Sequence, residues 1–313
     1  MNMSNQVQRP VCFLNGEYVP FHEACLPVYD LGVMQGASIT ERLRTFSHDP
    51  FGVTEHLQRL RQSLSLVNWT GVPDVNDLET VIETVAAKNT PLIDSQADLS
   101  VVVFITAGQS VSESGGLVNM SVPTVCVYSA DLPFSRWHEW YTLGVDLILP
   151  DRLQVPARCV DPRIKMRSRL HWMLADQAAR QINPAAQALL LDSDGFLTET
   201  SSGNLLILKK GILFCPCLEK VLNGITQQQV FEICRSIAIP IVEADLTEND
   251  LLAADEAMLT SSTYCIAPVR SVDGRSIGAA VPGKITLQLM DKFSELVGLD
   301  YVQQAAQHLD TAA

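Results

Sequence analysis

The chain has 313 residues, of which 47% are hydrophobic and 18% charged, and a formal net charge of -13. Such a composition buries a substantial core and is not that of a disordered chain. The acidity excludes nucleic acid as a partner, because phosphate neutralisation needs a basic face. No apolar run approaches the ~20 residues that span a bilayer, and the polar residues 1–10 hold no signal-peptide core. A soluble, cytoplasmic protein with no membrane partner is the expectation. The eight cysteines are scattered, several in apolar stretches (Cys12, Cys126, Cys234, Cys265), where a thiol behaves as a small core residue. Cys215 and Cys217 make a C-x-C without a second pair at zinc spacing, so no metal site is expected.

In chain order, Phe13-Leu14 and Tyr18-Val19 flank Asn15-Gly16, which predicts two strands joined by a type I′ hairpin turn. A short strand is expected around 26–29. Leu57, Leu60, Leu64 and Val67 recur at helical spacing over 54–67, with Thr54 as N-cap, and a second helix spans 77–87. The β-branched runs 101–106 and 124–128 are strands. Asp131-Leu132-Pro133-Phe134 interrupts the pattern. It divides the chain into an N-terminal α/β domain (1–130), a linker (131–136) and a C-terminal domain (137–313).

Beyond it, 145–149 is a strand, and Leu170, Met173, Leu174 and Ala178 mark one face of a helix. A meander follows over 188–191, 196–199, 204–208 and 212–215, turning at Asp194-Gly195 and Lys210-Gly211. A helix at 226–237, a strand at 240–242, a short helix at 249–254, a strand at 257–260 and a helix at 284–297 complete the chain. Strands and helices mix in both halves without a repeat, giving a two-domain α/β (α+β) architecture.

The C-terminal half offers a lysine, a carboxylate and an anion site in separate segments. Lys165 sits just ahead of a helix among Arg163, Arg167 and Arg169. Such neighbours depress a lysine pKa and favour the neutral, nucleophilic amine, although the segment also reads as a solvated basic helix start. Glu199 ends a strand in Leu197-Thr198-Glu199-Thr200-Ser201-Ser202-Gly203-Asn204, where it can hold a protonated ring nitrogen or serve as an ordinary strand-end acid. Asn223-Gly224-Ile225-Thr226 opens a helix, and free N–H groups there suit an anion; a plain helix start fits equally. Thr260-Ser261-Ser262-Thr263 is another hydroxyl-rich turn. No G-x-G-x-x-G follows a strand, so a nicotinamide fold is not indicated.

Taken in order, these segments resemble the class IV (fold-type IV) pyridoxal-phosphate family of branched-chain and D-amino-acid aminotransferases and 4-amino-4-deoxychorismate lyase. The similarity runs from about Phe13 to Ile277. It includes Asn15-Gly16, Asp30-x-Gly32 with Gly36 and Glu41, and Glu55-His56-Leu57-x-Arg59-Leu60. It continues through Lys165, 188–204, Leu222-x-Gly224-Ile225-Thr226 and Ala254-Asp255-Glu256. The resemblance implies a smaller N-terminal and a larger C-terminal domain with pyridoxal 5'-phosphate between them, in a homodimer. It implies that Lys165 forms the Schiff base and shuttles the proton, and that Glu199 pairs with the pyridine nitrogen. Arg59, with Gly224, Ile225, Thr226 and Ser262, would hold the phosphate, and Ser261 and Ser262 would line the turn near the substrate carboxylate.

Departures from the pattern bear on the substrate. Thr40 replaces an aromatic residue before Glu41, and Ala107 takes the place of the arginine by which D-amino-acid aminotransferases trap a carboxylate. Arg42 and Arg44 alternate on a strand and so point to one face. One of the two, with Arg44 the first choice, is expected to bind a substrate carboxylate, and a structural ion pair is the alternative. The expected activity is amino transfer between an amino acid and a 2-keto acid. The alternative is elimination of the aminodeoxychorismate lyase type.

Overall fold

A computed structural model describes residues 9–69, 71–72, 75–117 and 121–309; most of the polar N-terminus read above therefore lies outside the described residues. The chain divides into two compact units, Met1–Leu132 with Lys165–Ser168, and Pro133–Ile164 with Arg169–Ala313. Among the described residues no helix is long and apolar enough to cross a membrane.

The first unit contains β1 (Val11–Leu14), β2 (Glu17–Pro20), α1 (Leu31–Met34), β3 (Ser38–Phe46), β4 (Asp49–Pro50), α2 (Val53–Leu66), α3 (Val75–Asn89), β5 (Leu99–Thr106) and β6 (Val125–Asp131). Its six-stranded sheet has the order β2-β1-β6-β5-β3-β4, and every pairing is antiparallel. Asn15 and Gly16 both have positive φ, 50° and 100°, as a type I′ hairpin demands. The α2 and α3 side chains Leu57, Leu60, Ile82 and Val85 are buried, as are Ile39, Leu43, Val101 and Val103 of the sheet. Each such side chain contributes roughly 1.5–3 kcal/mol by leaving water.

Two expectations fail in this unit. The strand expected around 26–29 is a turn, and Asp30 explains why. Its fully buried carboxylate accepts bonds from Gly32 N (2.7 Å), Thr106 Oγ1 (3.0 Å) and Thr124 Oγ1 (2.8 Å). The loop is therefore latched across the ends of β5 and β6 instead of joining a ladder. At Gly32 a side chain would collide with Thr106. The N-cap of α2 is Gly52, not Thr54: Gly52 has φ 67°, ψ 30° and supplies no side-chain cap. That left-handed turn directs the chain into the helix two residues early, where glycine carries no steric penalty.

The second unit contains α4 (Phe134–Leu143), β7 (Val145–Ile148), α5 (Leu170–Ile182), β8 (Gln187–Leu191), β9 (Leu197–Thr200), β10 (Asn204–Lys209) and β11 (Ile212–Pro216). It continues with α6 (Ile225–Ser236), β12 (Ile241–Ala244), α7 (Glu248–Leu252), β13 (Glu256–Ser261), β14 (Cys265–Val272), β15 (Arg275–Ser276), α8 (Lys284–Val297) and α9 (Tyr301–Gln307). Its strands run β12-β11-β10-β13-β14-β7-β8-β9, and β9 also pairs with β10. The circuit β10-β13-β14-β7-β8-β9 thus closes on itself, through the single pair Asn204–Glu199. The stretch 131–136, expected as a linker, contains the division between the units at Leu132 and Pro133, but it is short: Asp131 ends β6 and Phe134 begins α4. Pro133 is the residue before the helix, a place where its fixed φ does no harm.

The apolar face expected on α5 is the exposed one. Leu170 is 65% exposed and Met173 58%, whereas Trp172, Ala175 and Ala179 are buried. Small residues let the helix lie close on the sheet, with Ile148, Ala188 and Leu190 in the same buried cluster. The Ala254-Asp255-Glu256 motif proves architectural. The Glu256 carboxylate accepts bonds from Ile285 N (3.0 Å), Thr286 N (2.7 Å) and Thr286 Oγ1 (2.7 Å), closing the start of α8, and Asp255 Oδ2 accepts one from Lys210 N (2.6 Å).

Candidate functional site

In the first unit, Lys165 is held by an added rung on β3. β4 pairs only with Thr45 and Phe46, which leaves the other end of that edge open. Residues 165–167 take it: Thr40 N donates to Lys165 O (2.9 Å), Arg167 N donates to Ser38 O (2.9 Å), and Ile39 faces Met166 in an antiparallel bridge. On the other side Lys165 N donates to Ser63 Oγ of α2 (3.2 Å). The lysine backbone is therefore fixed from a strand and from a helix.

Beside it is a buried ionic network. Arg59 Nε and Nη2 donate to Glu41 Oε1 (2.8 Å) and Oε2 (2.7 Å), and His56 Nδ1 lies 2.7 Å from Glu41 Oε2. All three residues are buried. Burial would raise the Glu41 carboxyl, but the charge and hydrogen bonds of Arg59, with those of His56, outweigh it and hold the group well below the usual carboxylate range. Burial pushes His56 the opposite way from its Glu41 bond and prevails, so its pKa is lowered; the charges of Arg59 and Lys165 act in the same direction. His56 is thus a neutral ring donating Nδ1–H to Glu41. The sequence reading did not assign Glu41 or His56 a role. The available signal was a carboxylate between Ile39 and Leu43 on one face of a strand, since a buried charge requires partners.

Arg44 needs correcting. Its side chain is 1% exposed, Nη2 lies 3.8 Å from Asp98 Oδ2, Nε donates to Thr45 O (3.1 Å), and the guanidinium lies 4.4 Å from the Phe46 ring centre. Asp98 also accepts from Thr45 Oγ1 (2.6 Å) and His48 N (2.8 Å). The ion pair, not a substrate-facing guanidinium, is what the geometry holds. Thr40 Oγ1 donates to Val103 O (2.7 Å), and Ala107 N donates to Ala37 O (3.0 Å).

In the second unit, Glu199 lies at the one-pair closure of the strand circuit and receives amide donors. Gln154 Nε2 reaches Oε1 (3.3 Å), while Leu222 N (3.3 Å) and Asn204 Nδ2 (3.5 Å) reach Oε2. Asn204 Nδ2 also donates to Leu222 O (2.7 Å), tying β10 to the segment before α6. Gln154 and Asn204 went unassigned in the sequence reading; Gln154 is 45 residues from Glu199, and nothing local signals the contact. Gly224 is the N-cap of α6 and provides no side-chain cap, so first-turn N–H groups lack intrahelical acceptors. A Cβ on Gly224 would overlap Asn204 Oδ1; only glycine fits. Thr226 and Gln227 are buried, and neither polar atom of the Gln227 amide has a hydrogen-bond partner. Ser261 Oγ lies 3.3 Å from Thr263 Oγ1, and Ser261 and Ser262 are both half-buried. This unit thus presents an oriented carboxylate and, close to it in the fold, an uncapped helix start suited to an anion.

A family model described as amino-transferase class IV matches residues 38–272. A D-alanine aminotransferase of Staphylococcus aureus is 30% identical over 290 residues, covering 91% of this chain and 97% of the relative. The branched-chain amino acid aminotransferase of Escherichia coli has the same fold, with a TM-score of 0.82 at 24% identity over 92% of this chain and 95% of that one. The T.th. branched-chain amino acid aminotransferase, solved as a complex with N-(5'-phosphopyridoxyl)-L-glutamate, gives a TM-score of 0.80 at 24% identity, covering 93% and 95%. Two α/β units, a rung-held lysine, an amide-clamped glutamate and a glycine-opened helix accompany a family match over most of the chain. The chain belongs to the class IV aminotransferases.

Proposed function

We propose that this class IV aminotransferase uses pyridoxal 5'-phosphate to move an amino group between an amino acid and a 2-keto acid, with Lys165 as its catalytic lysine. The observation that carries the reading is the pairing of a clamped Glu199 with a helix start where no side chain fits. The residues suit the cofactor: a carboxylate for a pyridinium nitrogen, and uncapped N–H groups with an unpartnered Gln227 amide for an anion. When bound, the cofactor supplies an aldehyde for amine exchange and a ring that withdraws electrons from the substrate Cα.

Each residue then has a task. Lys165 Nζ binds the cofactor and moves the proton lost from the substrate Cα. Glu199 keeps the ring nitrogen protonated, and its amide donors keep the carboxylate aimed. Arg59, Gly224, Ile225, Thr226 and Ser262 hold the phosphate, and Ser261 lines the turn toward the substrate, with Thr40 and Ala107 shaping its pocket. Elimination of the lyase type draws no support from the relatives above, which are named as aminotransferases. The exposed apolar stripe Leu170, Met173 and Leu174 on α5 supports a homodimer; light scattering at the mass of one chain would overturn that.

The test is a half-reaction with the holoprotein and single L- and D-amino acids, followed by absorbance. Wild type bleaches with one enantiomer, and Lys165→Ala loses at least about a thousandfold in rate. Borohydride reduction followed by peptide mass analysis finds the cofactor on Lys165. Full turnover by Lys165→Ala would end the proposal.

A further inference from the structure

Arg42 occupies the β3 position opposite Val102 of β5, which is itself opposite Tyr128 of β6. Arg42 and Tyr128 therefore share one face of the sheet, the face opposite to the one Glu41 presents to α2. Arg167 comes to the same place by another route. The added rung pairs it with Ser38, which lies on the Arg42 face, and its Nη2 donates to Tyr128 Oη at 3.5 Å. Lys165 is two residues away on the same extended segment, so by the same alternation it shares that side.

The cluster is electrically incomplete. Among the described residues neither Arg42 nor Arg167 is in an ion pair, and Arg42 Nε is buried without a hydrogen-bond partner. Burial lowers the Arg42 pKa against the pull of Tyr128, and the charge of Arg167 lowers it further. A chain of net charge -13 has thus set two guanidinium groups against one phenol, with no ion-paired acid among the described residues to balance them. Two like charges so placed repel, and an unmet buried donor is costly. An anion with a planar, two-oxygen face satisfies both groups at once, and a carboxylate is that shape. Arg44, on the same face, is already engaged with Asp98.

We propose that Arg42, Arg167 and the hydroxyl of Tyr128 form the carboxylate-binding site for the substrate of this enzyme. The proposal rests on the functional reading above and gives it a substrate anchor. The bound group is either the α-carboxylate common to all amino acids or the distal carboxylate of a dicarboxylic one, and the guanidinium chemistry is the same for both.

The experiment is calorimetric binding of glutarate, isovalerate and inorganic phosphate to the holoprotein, in wild type, Arg42→Met and Arg167→Met. Thermal melting and the cofactor absorbance band are recorded beside it. In each variant the Kd for carboxylate rises on the order of tenfold to a hundredfold, as loss of a charged hydrogen bond predicts. A rise for both carboxylates identifies the α-carboxylate, and a rise for glutarate alone identifies the distal one. Should either methionine variant fail to fold, Arg42→Lys, which keeps the charge without the fork, shows an intermediate rise. Unchanged carboxylate binding in a folded variant, or a site that takes phosphate and neither carboxylate, would overturn the proposal. Failure of the cofactor reading is separable: the absorbance band is then missing in wild type while the carboxylate Kd still responds to Arg42→Met.

Discussion

Two glutamates, one in each unit, are held by opposite means. Glu41 is sealed in the first unit, with Arg59 on both oxygens and His56 on one. Glu199 is half-buried in the second, and amides from Gln154, Asn204 and Leu222 donate to it. Charge against charge in a dry interior locks a carboxylate into the architecture, and removing one partner leaves the other stranded. Amide donors orient a carboxylate through directional hydrogen bonds. The first arrangement builds a scaffold beside Lys165, and the second orients a carboxylate.

The difference is testable from its largest consequence downward. Glu41→Ala leaves Arg59 buried without its bidentate partner and is expected to cost about 3–5 kcal/mol of stability. Urea unfolding monitored by circular dichroism measures it, and a cost under about 1 kcal/mol would mean the network is not the scaffold described. Gly224→Ala comes next. Its Cβ must displace Asn204 Oδ1, loosening one donor to Glu199, and costs about 1–3 kcal/mol. Cofactor affinity falls with it, read by equilibrium dialysis; unchanged affinity would detach Gly224 from the anion site.

The smallest effect is in the pH dependence. His56 has a lowered pKa in the folded state, so its contribution is fully present above its unfolded value of ~6.5 and is lost as pH falls, because the unfolded chain takes the proton first. Glu41, also lowered, adds a second loss below its unfolded value of ~4.3. His56→Asn should lower Tm at pH 8 yet flatten its fall between about pH 7 and pH 5. Parallel Tm curves for the two proteins would refute the assignment of a neutral His56.

Much of the fold was legible because local signals agreed with it. Asn15-Gly16 forced a turn, and Lys284–Val297 forms α8 as its periodicity required. β14 went unread because Pro268 breaks the strand pattern from inside, where it pairs with Met258. α4 went unread because Pro133 looked like a loop. On α5 the apolar spacing was real, but the burial went to Ala175 and Ala179, since close approach to a sheet rewards small side chains over large ones. In the candidate site, Lys165, Glu199 and Gly224 were legible as candidates, each from its own segment. Partners brought from far along the chain were not: Gln154 to Glu199, and Tyr128 to Arg167, are contacts made by topology alone.

The ring of strands in the second unit is fastened by one pair, Asn204 with Glu199. A cylinder with a single clasp has a seam, and a seam parts before the wall does. Local opening there exposes backbone amides without melting the neighbouring ladders, so hydrogen exchange runs faster at this point than along β10 and β13. Under the function proposed above, the glutamate that would pair with the ring nitrogen is also the residue at the clasp.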